Sequence, residues 1–444
     1  MVTGHRERGQ TAPPNFTELP LPICPIGRLA SGSPTSDSTR IPFVRPLRVG
    51  ALLAIRCGEF VVLLLGFFFV TAMATFGSGL STPVLASALR AAGHGGGAVG
   101  LALSAYYVGF GIVAVTGSNF VRRVGDRGAL GLAGLGLAAS LASQTAILTL
   151  GSAGLARAGC GASIALFCLS VEPGLGRCSG HNRGLVLGMY LVVMNVSQGF
   201  GAGLSSFGLA MLPWAAGAAL LMLPAALFFP GGSAAPRTNS SFPDLGALVM
   251  VAPGATLAAL AGGAATGGLS AVVPIFGERL GMDAEQVSWM LVGIIGMGAL
   301  VPIPMGMLAD RGDRDQVIRG TALVSSGLAL LSALQGGLAG VIYLGLAAGV
   351  AFALYPLGVG LAQERLGAEG FSRSGGGLMV GFAAGSVLAA PVAGAAVELI
   401  GAPALPLWVA LAASFAVPGP LLRTALLRVR GRRARAREAS LLPG

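Results

Sequence analysis

The chain has 444 residues, 54% of them hydrophobic and 10% charged, with a mean hydropathy of +0.79 and a net charge of +11. That leaves too little polar surface to wrap a water-soluble enzyme or binding domain of this size, so most of the chain belongs in lipid. All 28 basic residues are arginine, and they fall between apolar runs rather than along one basic face.

In chain order, residues 1–58 are rich in Pro, Ser and Thr, lack a cleavable signal pattern and read as a disordered tail. Uncharged runs then cover 60–89, 91–121, 245–277, 286–309, 374–397 and 399–422, each sufficient for one helix of roughly 20 residues. Three longer stretches, 128–171, 184–236 and 320–363, must each fold back once, which brings the total to twelve spans. No period-two alternation suggests a barrel, so the fold class is all-α integral membrane. The expected units are a six-helix bundle over 59–229, a Gly/Ser/Pro linker over 230–244, a second bundle over 245–427 and a basic tail over 428–444.

Arginine placement gives an orientation. Eleven arginines, including Arg122, Arg123, Arg127, Arg183, Arg311, Arg314 and Arg373, fall in the even-numbered turns, against only Arg90 and Arg279 in the odd-numbered ones. The positive-inside rule then makes both termini cytoplasmic. The arginines of the last tail, from Arg428 to Arg437, read as an anchor to anionic lipid rather than a nucleic-acid site.

Landmarks repeat along the chain. Gly117 and Gly306 open charged turns 189 positions apart; 128–171 and 320–363 both hold 44 residues; Glu172 and Glu364 follow them directly; and Arg183 and Arg373 lie 190 apart. The two halves are therefore related in sequence. Twelve spans in two such halves, with G-x-L-A-D-R-G-D-R at 306–314, resemble the major facilitator superfamily over roughly residues 59–427. The second turn carries the family's loop pattern through Gly306, Asp310, Arg311 and Arg314. The first departs from it, with Val121 in the aspartate position and Asp126 displaced, and its R-R-V-G form is similar to a poorly characterised bacterial branch.

In physical terms such a turn can act as a latch, because glycine permits close helix approach and an acid facing an arginine forms a contact available in only one arrangement. The latch candidates on the cytoplasmic side are Gly117, Arg122, Asp126, Glu172, Arg183, Gly306, Asp310, Arg311, Arg314, Glu364 and Arg373, with Asp310 and Arg311 foremost. Arg157 is the single charge within 128–171 and should face the bundle interior, since a guanidinium in lipid is costly. The corresponding position of the second half is Gly349, so the repeat alone does not demand an arginine there. In terms of the resemblance, Arg157 with Gly161 is similar to an R-x-x-x-G element of proton-linked exporters.

Tyr106, Tyr107, Gln144, Asn195, Gln198, Tyr355 and Gln363 are the other polar residues that could line a pathway or pack between helices. No acid lies mid-span on this reading, with Glu172, Glu364 and Glu398 all near helix ends, so no proton carrier is evident. The five cysteines and three histidines show no metal spacing, and no cofactor is implied. The resemblance implies a monomeric secondary or facilitative transporter of a small organic solute, multi-pass in a bacterial inner membrane and working by alternating access. Arg157 would favour an anionic solute or organise the outer pathway, and proton-coupled export remains open. A non-transporting sensor or a membrane enzyme on the same scaffold is the rival, although neither a soluble domain nor clustered acids and histidines support it.

Overall fold

The computed structural model describes residues 46–146, 149–178, 183–228, 245–374, 376–419, 421–422 and 428. The linker 230–244 lies outside them, as do residues 1–45, the last tail beyond Arg428, and the side chains of Arg183 and Arg373. Among the described residues every regular element is helical.

The first half comprises α1 (Pro46–Ala91), α2 (Gly96–Ser143), α3 (Leu150–Cys178), α4 (Arg183–Gly203), a 3₁₀ stretch over Leu204–Met211, α5 (Leu212–Leu220) and α6 (Met222–Phe228). The second comprises α7 (Leu245–Val251), α8 (Pro253–Arg279), α9 (Ala284–Leu300), α10 (Pro302–Arg311), α11 (Arg314–Gln335), α12 (Gly337–Phe352), α13 (Leu354–Ser374), α14 (Gly376–Ile400) and α15 (Ala404–Ser414). Helix α1 begins at Pro46, inside the segment expected to be a tail.

Nine described stretches are long and apolar enough to cross a bilayer. Two of them, Gly96–Ser143 with 48 residues and Gly188–Phe228 with 41, are each long enough for two crossings. Each reverses at a glycine in the left-handed region, Gly125 at φ 81° and Gly208 at φ 66°. With the short apolar helix Ala404–Ser414, the count reaches the twelve expected from charge spacing. Prolines break several spans: Pro356 in the first turn of α13 cannot donate to the carbonyl of Phe352, where α12 ends. Large apolar side chains such as Leu155, Trp214, Leu334, Leu338 and Leu399 point outward, as a lipid-facing belt requires.

The two ends of the molecule differ. At the end carrying Glu398, one hydrophobic core joins both halves, combining Leu85, Leu89, Val99 and Leu103 with Val272, Phe276, Leu291, Val397 and Leu405. At the end carrying Asp310, the cores remain separate: Phe67, Leu130, Leu175 and Val186 belong to the first half's cluster, and Leu248, Ile318, Leu361 and Leu378 to a cluster of the second.

Helix α14 is the shared wall. A Cβ at Gly385 would run into the Leu260 carbonyl of α8, and one at Gly394 into the Gly96 carbonyl of α2. Small residues on two faces of one helix thus let it pack closely on its own half and on the other, which matters where lipid supplies no hydrophobic drive for helix association.

Candidate functional site

Helices α2 and α3 meet backbone to backbone. A Cβ at Gly109 would strike the Ala158 carbonyl, and one at Gly161 the Tyr106 carbonyl, so glycine at both positions is what allows the approach. That contact sets Arg157 against Tyr106, with the guanidinium carbon 4.8 Å from the ring centroid. Arg157 Nη1 also donates to Ser81 Oγ of α1 at 2.6 Å, and the residue is only 3% exposed. Arginine 157 therefore faces the bundle interior as expected, but it lies behind Tyr106 rather than open to a solute. Its buried Nε has no hydrogen-bond partner.

From Tyr106 a line of rings crosses to the other half. Tyr106 and Tyr107 are edge to face at 5.1 Å, Tyr107 and Phe382 of α14 lie 6.2 Å apart, and Phe382 and Tyr355 of α13 lie 4.9 Å apart. All three tyrosines keep part of their surface accessible. The structure thus brings Arg157, Tyr106, Tyr107 and Tyr355 into one continuous site. Phe382 joins them without having been singled out, because a phenylalanine in an apolar helix carries no signal in sequence.

The other polar candidates do not join this line. Gln144 is buried and donates to the Ser140 carbonyl and to Cys160 Sγ, a packing role. Asn195 donates to its own helix at the Leu191 carbonyl, 2.8 Å away. Gln198 packs its backbone where a Cβ at Gly79 would fall, at the contact between α1 and α4. Gln363 is exposed, beside Glu364 and away from the rings.

Glu172 sits near a helix end, three residues before Leu175 and six before Cys178. It lies within the Leu150–Leu175 span and keeps accessible surface there. Tyr190 Oη donates to its Oε1 at 3.4 Å, and Cys168 Sγ is 4.0 Å from that same hydroxyl.

The charged turns pair differently from the expected latch. Asp310 accepts from Arg314 at 2.6 Å, not from Arg311, which is exposed; Arg314 also reaches Glu364 at 3.2 Å. Arg365 pairs with Asp315, a buried acid that the sequence motif does not single out. All of these contacts lie within the second half. Gly306 has open space around a would-be Cβ, so it permits no close approach here, whereas one at Gly117 would meet Leu169 at 2.7 Å. In the first turn, Arg122 bonds Asn119 at 2.8 Å, Asp126 is buried, and Val121 is fully buried in the aspartate position.

Among the described residues, the ion pair that bridges the halves is at the opposite end. Arg90 of α1 reaches Glu398 of α14 at 2.8 Å and Glu278 of α8 at 3.3 Å, while also donating to the His94 carbonyl. Ser205 and Ser288 hydroxyls meet there at 2.9 Å, and a Cβ at Gly97 would lie 3.2 Å from that of Ala395. An apolar groove of about 740 Å³ beside α2 and α3, lined by Ile112, Leu155 and Ala162, faces outward and is separate from the ring line.

No protein-family model matches the chain. It is 26% identical over 300 residues, 65% of its length, to the uncharacterized MFS-type transporter YcaD of Salmonella paratyphi B, covering 77% of that protein. Among solved structures, it matches the nucleoside transporter NupG with a TM-score of 0.63 at 13% identity, over 82% of this chain and 98% of the other. It matches a bacterial homolog of the human lysosomal transporter Spinster, in an inward-facing and unoccupied conformation, with a TM-score of 0.64 at 14% identity, over 83% and 97%. With its two six-helix halves and its likeness to these proteins, the chain has the major facilitator superfamily fold.

Proposed function

We propose that the protein is a secondary or facilitative transporter that carries a small organic solute by alternating access. The observation that carries this reading is the asymmetry of the interface between halves: one shared core with an ion triad at the Glu398 end, and separate cores at the Asp310 end. A rigid enzyme scaffold has no need of one tight and one parted end, whereas a carrier needs each end to part in turn. With the Asp310 end cytoplasmic by the arginine count, the conformation is inward-open. The similar proteins, an MFS-type transporter and a nucleoside transporter, support the same class.

The test is a reversible lock. Gly97→Cys with Ala395→Cys places two thiols at a separation close to disulfide geometry. In proteoliposomes screened for uptake and efflux of a metabolite library, with and without a proton gradient, oxidation of this pair should arrest transport and reductant should restore it. A locked protein that moves solute as fast as the reduced one overturns alternating access, and failure of any solute to move in either direction favours the sensor.

A further inference from the structure

We propose that the triad of Arg90, Glu278 and Glu398 makes parting of the halves at the Glu398 end respond to the acidity of the medium it faces, so that acid outside favours the outward-open state without driving the solute. This rests on the transporter reading and names the regulation of one of its two ends. By the arginine count, that end faces the outside of the cell. The Arg90, Glu278 and Glu398 side chains are 21%, 44% and 30% exposed, so protons reach the triad before any helix has to move.

Two acids of one half hold one cation of the other. Glu398 on α14 accepts from Arg90 Nη1 at 2.8 Å and Glu278 on α8 accepts from its Nε at 3.3 Å, so the carboxylates sit on neighbouring nitrogens of one guanidinium. Helices α8 and α14 pack closely within the second half, as the fit of Gly385 against the Leu260 carbonyl shows, so the acids stay together when Arg90 leaves. A glutamate neutralised by a proton no longer holds Arg90 by charge, and the closed state loses that contribution. The parted state is instead relieved of two like charges left side by side. A ligand that favours one of two states shifts the population towards it, and here that ligand is the proton. The other contacts at this end, namely the shared apolar core, the Ser205 and Ser288 hydroxyls and Gly97 against Ala395, carry no charge to lose. Arg279 is exposed and keeps its charge, while Asp283 accepts from the Gln286 amide and Glu285 from Trp289, both within the second half. His94 offers Arg90 its carbonyl, and a charge gained on its ring would repel the same guanidinium and act in the same direction. The described acid pairs at the Asp310 end lie within the second half and do not hold the halves together in this conformation. The proton is taken up and returned on one side, so it regulates the opening and does not travel with the solute.

Spin labels carried on unnatural residues at exposed Ala92 and Ala284, in the outer turns of the first and second halves, report parting of the full-length protein in lipid nanodiscs with no solute present. Between about pH 7.5 and about pH 4.5, equal on both sides, the ratio of parted to closed molecules should rise about threefold or more. The double variant Glu278→Gln with Glu398→Gln should have a raised parted population already at about pH 7.5 and change less than about twofold on acidification, whereas His94→Gln should keep the acid response. A ratio indifferent to pH in the unaltered protein overturns the proposal without any variant having to fold. So does an acid response of full size in the double variant, or one abolished by His94→Gln alone. A protein that passes the disulfide-lock test yet shows a flat pH response overturns this inference and leaves the transporter reading standing, while transport undiminished by the lock overturns alternating access whatever the triad does.

Discussion

The two ends of the molecule are built by different means. At the Glu398 end, glycines on α2 and small residues on α14 bring backbones together, apolar side chains from both halves form one core, and Arg90 spans the seam. At the Asp310 end, the charges are more numerous but their described pairs stay within the second half. Abundance of charge therefore does not identify the closed end; the partners do. A salt bridge inside one half moves with it and cannot report on the other, whereas Arg90 must let go when the halves part.

Four substitutions would sharpen this contrast, beginning with the largest effect. Gly161→Leu forces a side chain into the Tyr106 carbonyl and should cost more than about 3 kcal/mol, seen as loss of folded protein in a thermal melt. Arg157→Ala removes a buried guanidinium from Ser81 and Tyr106, with an expected loss of about 2–3 kcal/mol in melting and of solute affinity through a displaced Tyr106. Unchanged transport and affinity in this variant would make the arginine a bystander. Arg90→Ala leaves Glu278 and Glu398 facing each other without their cation, and should shift the population toward opening at that end by about 1–2 kcal/mol, a five- to thirty-fold change in spin-label distance populations. Asp310→Asn breaks only an exposed pair within one half and should change the stability of this conformation by less than about 1 kcal/mol. If it alters neither transport nor accessibility, Asp310 has no latch role in the other conformation either.

Twelve spans and two related halves were legible because a charge in lipid is costly, so its spacing marks where each crossing ends. Arg157 was legible for the same reason, as one charge in a 44-residue run. The bridge between halves was not, since Arg90 finds Glu278 and Glu398 at separations of 188 and 308 residues, which no local pattern encodes. Glu172 was legible as a residue near a helix end, since the uncharged run before it stops there and its span closes at Leu175. Gly306 shows the limit of motif reasoning in the other direction: the residue fits the pattern, yet no helix approaches it in this conformation.

Arg90 serves two acids that belong to different helices of the same half. Parting the halves therefore requires two bonds to the same guanidinium to be surrendered, and nothing requires them to go together. With Glu398 released first, Glu278 could still tether the arginine, so the opening has a natural half-way state whose lifetime depends on the weaker contact. Substituting either acid alone should then remove one stage of a two-stage release, and the kinetics of opening would separate what an equilibrium measurement merges.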